Sequence, residues 1–290
     1  MSFVLTLVVD RRATTLAPSI IARVRETLKG REPLVLSPGE AVDIPCLECP
    51  DPVAVDAALE GAPVDAIATP ARGRRKGLLL ADMDSTIITT ESLDELADHV
   101  GLKDRIAAIT ARAMNGELDF AAAVRERVGM LRGLKLEALR ETVDAIELTD
   151  GAHELVRTMR AHNALTALIS GGFSFFTSTV AARVGFDLDR SNVLLDDGRV
   201  LTGEVREPIQ GKDAKLAALH ELAARRGLRM SATLAVGDGA NDLPMILEAG
   251  LGVAFHAKPM VAASATARVN HAGLRALLFA QGYRAEEFVA

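Results

Sequence analysis

The chain has 290 residues, of which 49% are hydrophobic and 25% are charged, as is typical of a globular protein long enough for two domains. This composition argues against intrinsic disorder, a coiled coil and a collagen-like repeat. The net charge is −6, and the aromatic residues are nine Phe and one Tyr, with no Trp. Because nucleic-acid surfaces rely on basic patches and stacking rings, we expect no nucleic-acid partner.

The sequence contains no apolar run close to the roughly 20 residues that a membrane-spanning helix needs. Its start lacks the basic region and long apolar run of a signal peptide. We therefore expect a cytoplasmic protein with no membrane partner. Cys46 and Cys49 form a single CxxC pair, whereas a structural zinc ion needs four ligands. We interpret the two cysteines as reduced thiols, since a redox role would require a thioredoxin-like strand-to-helix junction.

The first 70 residues predict the order β-α-β-β-α-β, which is that of the ferredoxin-like split βαβ sandwich. The predicted elements are strands at 3–9, 33–36, 41–47 and 64–68 and helices at 16–28 and 51–60. By element order alone, this segment resembles the small ACT-type modules that bind amino acids. Its residues identify no ligand. A structural module, a module that forms a homodimer, and an amino-acid sensor acting on the rest of the chain are therefore all left open.

A short basic segment follows this module. Between Thr69 and Gly77 the sequence TPARGRRKG combines Pro and Gly with four basic residues. Such a composition is typical of a solvated linker. We therefore divide the chain into an ACT-like domain at 1–70, a linker at 71–77 and a second domain at 78–290.

Short apolar runs at 77–81, 164–169, 233–236 and 251–255 predict strands that are buried on both faces. Helical segments between them, at about 151–161, 174–183, 213–226 and 241–249, indicate an α/β fold with a doubly wound parallel sheet. A crossover needs only about a dozen residues, whereas residues 83–164 separate the first two strands. We predict a helical cap inserted at about 92–148. An Asp-Gly turn within 193–205 indicates a β-hairpin.

Four aspartates follow two of the predicted strands. Asp82 and Asp84 come after the first core strand, and Asp238 and Asp242 come after a later one. Ligands of open α/β sheets bind outside the carboxyl ends of the strands. A single Asp in this position is often only a helix N-cap, but clustered carboxylates repel one another unless a cation lies between them. Because oxygen ligands suit Mg²⁺, the sequence predicts a Mg²⁺ site formed by these four residues.

Anion-binding groups are predicted beside the carboxylates. Ser170, Gly171 and Gly172 follow the strand at 164–169 and are expected to open a helix, so that a hydroxyl and backbone N–H groups can hold a phosphate. Lys215 can add a point charge. Each feature is weak alone, because glycines commonly end strands and lysines commonly face water.

Taken in order, DMDST at 82–86, Ser170, Lys215 and GDGAND at 237–242 resemble the four motifs of the haloacid dehalogenase superfamily. The resemblance extends from Leu78 to about Leu278. It implies a Rossmann-like core, Asp82 as a nucleophile and Asn241 among the phosphate ligands. A second Asp two positions after the nucleophile, here Asp84, marks the phosphatase and phosphotransferase branches.

Within that superfamily the chain is most similar to the phosphoserine phosphatase family, on the strings DMDSTIITTESLDELA, AITARAMNGELDFAAAVRERV, LISGGF, LTGEV and AVGDGANDLPMI. This resemblance implies Mg²⁺-dependent hydrolysis of O-phospho-L-serine through an aspartyl-phosphate, the last step of serine biosynthesis. It also implies contacts of Glu91, Met114, Phe120 and Arg127 with the substrate's amino and carboxylate groups. Related enzymes that act on phosphohomoserine or phosphothreonine, or that transfer phosphate to an alcohol, are the alternative.

One feature supports a carboxylate ligand independently of the resemblance. Arg127 shares the predicted apolar stripe of its helix with Phe120, Val124 and Leu131. A guanidinium in that position can bind a carboxylate bidentately, or it can extend to water at the edge of the cap.

Overall fold

The computed structural model describes residues 2–99, 101–114, 118–211 and 213–290, apart from the side chains at 107, 111, 113 and 114. Within these residues, no helix is long and apolar enough to cross a membrane.

The N-terminal segment forms a four-stranded antiparallel sheet with the strand order β2-β3-β1-β4. Its elements are β1 (Phe3–Val8), α1 (Pro18–Thr27), β2 (Leu34–Ser37), β3 (Ala41–Cys46), α2 (Pro52–Leu59) and β4 (Asp65–Pro70). Leu5 and Leu7 of β1 pack with Val24 of α1 on one face of the sheet. On the other face, Val8 and Ile67 join the main core of the protein. The sheet is thus covered on both sides, and the predicted ACT-like element order is confirmed.

The basic segment after β4 differs from its prediction. Arg74 has a side chain that is only 12% exposed, and it contacts Asp43 of β3. Lys76 is buried and donates hydrogen bonds to the carbonyls of Gly73 and Ser231. The expectation that these basic side chains are solvated is therefore wrong for Arg74 and Lys76. Arg74 donates to oxygen atoms of both parts of the chain, and Lys76 donates to two backbone carbonyls.

The second sheet has six parallel strands in the order β12-β11-β10-β5-β6-β7, which confirms the predicted doubly wound α/β fold. Its strands are β5 (Leu78–Ala81), β6 (Leu165–Phe173), β7 (Leu188–Asn192), β10 (Thr233–Gly237), β11 (Leu251–Phe255) and β12 (Ala267–Val269). The chain runs outward from β5 through β6 to β7 and later fills the other half from β10. The carboxyl ends of β5, β6 and β10 therefore lie side by side, where such sheets bind ligands.

Two strands of this sheet were not predicted. The sequence of β7, LDRSN, contains polar residues along an edge strand, and β12 has only three residues. Neither gives the continuous apolar run that marks a strand buried on both faces. The helices that follow the long connection after β5 are α7 (Ala152–Ala161), α8 (Ser174–Val184), α9 (Ala214–Arg225), α10 (Leu243–Glu248), α11 (Pro259–Ser264) and α12 (Arg275–Ala280).

A group of helices occupies the long connection after β5, as the sequence predicts. These helices are α3 (Ser92–Asp98), α4 (Lys103–Met114), α5 (Phe120–Gly129) and α6 (Leu136–Ala145). Asp119 caps α5, because its carboxylate accepts hydrogen bonds from the N–H groups of Ala121 and Ala122. The hairpin of β8 (Leu194–Asp196) and β9 (Leu201–Val205) contacts α5. The division of the chain at 71–77, and the bounds of the cap, stay predictions.

Candidate active site

Asp82 and Asp84 lie at the carboxyl end of β5, in the middle of the sheet. Asp82 is 6% exposed, and its N–H donates to the carbonyl of Val236 at 3.0 Å. The chain then turns sharply, because Asp84 is extended while Ser85 adopts a left-handed conformation with φ of 53°. A non-glycine residue with positive φ is uncommon and often marks a functional loop.

Three carboxylates converge beside this turn. One oxygen from each of Asp82, Asp238 and Asp242 lies within 4.8 Å of the other two, and all three residues are buried. Gly237 permits this arrangement, because a Cβ at that position would overlap the Asp242 side chain. The side chain of Asp84 is outside this group of three, and the predicted metal contact of Asp84 is through its backbone carbonyl.

Lys215 provides the buried positive charge of the cluster. Its Nζ lies 2.6 Å from Asp82 Oδ1 and 2.5 Å from Asp242 Oδ1. Asp238 has a weaker partner, because Nζ of the exposed Lys258 is 3.8 Å from its Oδ2. The cluster thus contains three buried carboxylates and one buried ammonium group, which contacts two of them. The excess negative charge and the all-oxygen ligand set fit a hard divalent cation such as Mg²⁺.

The pKa values reflect this crowding. Burial, followed by repulsion from Asp242, raises the pKa of Asp82, although Lys215 opposes the shift. The same two causes raise the pKa of Asp238 to about 6. Burial tends to lower the pKa of Lys215, but the adjacent Asp82 and Asp242 carboxylates outweigh it and raise the pKa. Lys215 therefore stays protonated. Its single positive charge is smaller than the total negative charge of the three carboxylates when these are ionised.

Asp84 faces a different environment from Asp82. Its Oδ1 accepts a hydrogen bond of 2.9 Å from the N–H of Ser92, at the start of α3. Burial, followed by repulsion from Glu91, raises the pKa of Asp84 to about 6. A carboxyl group with such a pKa can donate and accept a proton near neutral pH. Its Oδ2 approaches Gly172 so closely that a Cβ there would lie 3.2 Å away.

Residues from several helices, strands and loops line a pocket beside the carboxylates. Its lining includes five of the eight predicted substrate-binding residues, namely Phe120, Ser170, Gly171, Lys215 and Asn241. It also includes Gln210 and Gly211, which the sequence reasoning missed.

One detail of this pocket corrects the prediction. Ser170 and both glycines lie within β6 rather than at the start of a helix, and α8 begins only at Ser174. The N–H of Gly172 donates to Ser170 Oγ at 2.9 Å, so it is already satisfied. Ser170 still lines the pocket, and its hydroxyl oxygen carries this N–H group as a neighbour.

The helices above the sheet carry the residues that the resemblance assigns to the substrate's amino acid. Glu91 is exposed and accepts a hydrogen bond of 2.8 Å from Ser85 Oγ. Arg127 is half-buried, and it donates to the Ala123 carbonyl and to Thr110 Oγ1, both at 3.3 Å. Among the described residues, the two groups that accept hydrogen bonds from Arg127 carry no charge. Burial lowers the pKa of Arg127, although the charges of Asp94 and Glu91 oppose the shift. The side chain of Met114 lies outside the described residues.

Comparisons with known proteins agree with this geometry. Residues 79–247 match the haloacid dehalogenase-like hydrolase family, and the chain belongs to this family. It also aligns with a haloacid dehalogenase family hydrolase of Salmonella enterica serovar Typhi, with a TM-score of 0.86 and 31% identity over 96% of this chain and 97% of that one.

More specifically, the chain is similar to phosphoserine phosphatases. It is 42% identical to that of Streptococcus thermophilus over 69% of this chain and 93% of the relative. It is 38% identical to that of Streptomyces coelicolor over 82% of this chain. This chain spans only 58% of the length of the S. coelicolor protein.

Proposed function

We propose that this protein is a Mg²⁺-dependent phosphatase that hydrolyses O-phospho-L-serine to L-serine and phosphate, the last step of serine biosynthesis. The observation that carries the proposal is the position of Asp82 at the end of β5, where it belongs to the buried carboxylate cluster and contacts Lys215, which lines the pocket together with Ser170. The similarity to phosphoserine phosphatases supports the choice of substrate. A cytoplasmic location is a further part of the proposal.

The metal ligands would be Asp82, the backbone carbonyl of Asp84, and Asp238, with Asp242 supporting them. When bound, Mg²⁺ supplies positive charge that offsets the repulsion between the nucleophile and the phosphate. The excess of carboxylates over buried ammonium groups in this cluster supports such a site.

The proposed chemistry has two steps. First, a carboxylate oxygen of Asp82 attacks phosphorus, and the bond between phosphorus and the serine oxygen breaks as Asp84 gives its proton to that oxygen. Second, a water molecule loses a proton to Asp84 and attacks the aspartyl-phosphate, which releases phosphate and restores the Asp82 carboxylate. The hydrogen bond from Ser92 to Asp84 Oδ1 favours placing the transferred proton on Oδ2.

Substrate binding is divided between the sheet and the helices. Ser170, Gly171, Lys215 and Asn241 would hold the phosphate oxygens, since all four line the same pocket. Glu91 would pair with the amino group of the substrate. Arg127 would bind its carboxylate, which is supported by the half-buried guanidinium and its neutral hydrogen-bond acceptors. Phe120 and Met114 would enclose the carbon chain.

The test is phosphate release from L-phosphoserine by the full chain, with Mg²⁺ and with the chelator EDTA. We expect turnover with Mg²⁺ and none with EDTA. Phosphohomoserine, phosphothreonine and phosphoethanolamine serve as competing substrates, and an added alcohol detects transfer of the phosphoryl group. Faster turnover of another ester, or recovery of a phosphorylated alcohol as the main product, would replace phosphoserine hydrolysis as the function.

A further inference from the structure

Asn192 lies at the carboxyl end of β7, next to the phosphate pocket but behind its lining. The side chain is buried, with 2% of its surface exposed. Its Nδ2 donates to the carbonyl of Gly171 at 2.9 Å, and its Oδ1 accepts from the N–H of Gln210 at 2.7 Å. Gly171 belongs to β6 and Gln210 to the segment before α9, and both residues line the pocket, so we call these two segments its walls. A single side chain therefore connects both walls.

The strand pairing beside Asn192 explains why such a connection is needed. β6 and β7 pair regularly up to Ile169 and Arg190, and they pair again only at Phe173 and Asn192. Ser170, Gly171 and Gly172 thus lie in a register shift, where β7 provides no regular ladder for their backbone groups. The Asn192 amide takes over this task for the Gly171 carbonyl.

The second bond of Asn192 fixes the opposite wall. Gln210 precedes α9, the helix that carries Lys215 near its start. The N–H of Gln210 is held by Asn192, and its side chain donates to the carbonyl of Ser191 at 2.8 Å. Two hydrogen bonds thus connect this segment to β7. The backbone beside Ser170 and the segment that precedes the Lys215 helix are therefore both hydrogen-bonded to the end of β7.

The amide group of Asn192 matches the hydrogen-bonding needs of this position. A carbonyl can only accept a hydrogen bond and an N–H can only donate one, so the residue between Gly171 and Gln210 must supply one donor and one acceptor. An aspartate would keep the acceptor but would place a carboxylate oxygen against the Gly171 carbonyl. An aliphatic residue would leave both of these part-buried backbone groups without their partner.

We propose that Asn192 is a positioning residue that holds the two walls of the pocket at the separation that a phosphate group requires. It acts through the backbones of Gly171 and Gln210. The inference rests on the proposed function only in assigning this pocket to the phosphate of the substrate.

The test compares Asn192→Ala and Asn192→Asp with Ser191→Ala as the matched control. Ser191 is the preceding buried residue of β7, and its hydroxyl bonds to Thr177 Oγ1 at 2.6 Å rather than to either wall. Inorganic phosphate binding is measured by calorimetry in Mg²⁺, together with KM and kcat for phosphoserine. We expect both Asn192 variants to bind phosphate roughly tenfold to a hundredfold more weakly, with a matching rise in KM. Ser191→Ala should stay within about twofold of the unmodified protein, since it loses one hydrogen bond outside the pocket.

Unchanged phosphate affinity in both Asn192 variants would overturn the inference, even if their melting temperatures fell. An equal loss in Ser191→Ala would also overturn it, because general loosening of β7 would then explain the effect. The nearly isosteric Asn192→Asp keeps the test valid if the Ala variant does not fold. Absence of phosphoserine turnover in the unmodified protein contradicts only the proposed function, because phosphate binding is measured separately. Absence of phosphate binding in that protein contradicts the inference itself.

Discussion

Two regions of the molecule bury charged groups, and they do so in opposite ways. Between the two sheets, the buried carboxylate of Asp43 faces Arg74, and the buried carboxylate of Glu40 faces Arg275, which also lies 3.4 Å from Glu154. At the candidate active site, three buried carboxylates lie together, and one buried lysine contacts two of them. Balanced, fully hydrogen-bonded charges fix a structure, whereas an unbalanced cluster is suited to bind a cation. The paired charges between the sheets therefore have a structural role, whereas the excess of carboxylates at the candidate active site is suited to binding a metal ion.

The buried charged groups between the two sheets have several hydrogen-bond partners each. Arg74 donates to both oxygens of Asp43, to Thr6 Oγ1 and to the carbonyls of Phe279 and Ala280. Arg275 binds Glu40 through two hydrogen bonds of 2.8 and 2.9 Å. The Asp65 carboxylate accepts hydrogen bonds from the N–H groups of residues 270–272. These contacts attach the N-terminal sheet to the rest of the chain through many buried groups.

This attachment bears on the alternative in which the N-terminal segment senses an amino acid. If residues 1–70 were isolated, Asp43, Glu40 and Asp65 would lose their partners in the rest of the chain. A binding test for serine must therefore use the full chain, with the active-site pocket blocked by inorganic phosphate. Heat of binding that persists under these conditions would favour a sensor role.

The largest expected effect comes from changing Asp82, the proposed nucleophile, in the carboxylate cluster of the candidate active site. Asp82→Asn should reduce turnover by roughly 10⁴-fold or more, because the amide cannot attack phosphorus. It should also abolish acid-labile phosphate on the protein after incubation with substrate. The variant should melt no lower than the unmodified protein in the absence of Mg²⁺, since one of three repelling carboxylates is removed. Normal turnover would exclude Asp82 as the nucleophile.

Changing the paired charges between the two sheets should lower the stability of the protein rather than its activity. Arg74→Ala leaves Asp43 buried without its cation, and we expect a loss of about 3 to 5 kcal/mol in the free energy of unfolding. Urea denaturation measures this loss, with the exposed Arg72→Ala as the control at about 0.5 kcal/mol or less. The folded fraction should keep its activity. A loss of activity without a loss of stability would contradict the structural role.

Metal binding offers a second contrast between the two regions. Mg²⁺ at about 100 times its dissociation constant should stabilise the folded protein by about 2.7 kcal/mol, seen as a higher melting temperature. Asp238→Asn should greatly reduce this stabilisation, because it removes one carboxylate of the cluster. Glu137→Gln, at an exposed carboxylate of α6, should leave it unchanged. Equal stabilisation of all three proteins would place Mg²⁺ elsewhere.

The smallest expected effect concerns the helices above the sheet. Arg127→Ala should raise KM for phosphoserine roughly tenfold to a hundredfold, because the substrate carboxylate loses a charged hydrogen-bond donor. Phosphoethanolamine, which has no carboxylate, should be hydrolysed with little change in KM. Arg125→Ala is the matched control, since this exposed arginine of the same helix pairs with Glu207. Equal effects on both substrates would contradict a carboxylate role for Arg127.

Much of the fold could be predicted from local pattern. The runs that became β5, β10 and β11 are apolar throughout, because strands covered on both faces have no solvent side. Asp82 and Asp238 could be placed at the sheet edge because each directly follows such a strand. Asn192 could not be placed in the same way. It is the last residue of β7, and the polar sequence of β7 does not predict a strand.

The sequence by itself therefore determined the class of fold, the helical insertion after β5, and the carboxylates that follow the strands. Tertiary structure alone decided which charges are balanced. Arg74 meets the carbonyl of Ala280, and Arg275 meets Glu40, across separations of 206 and 235 residues. Spacing along the chain predicts contacts within one helix or strand, but contacts between distant segments depend on how the two sheets pack. The same basic segment that looked like a solvated linker is for this reason part of the buried interface.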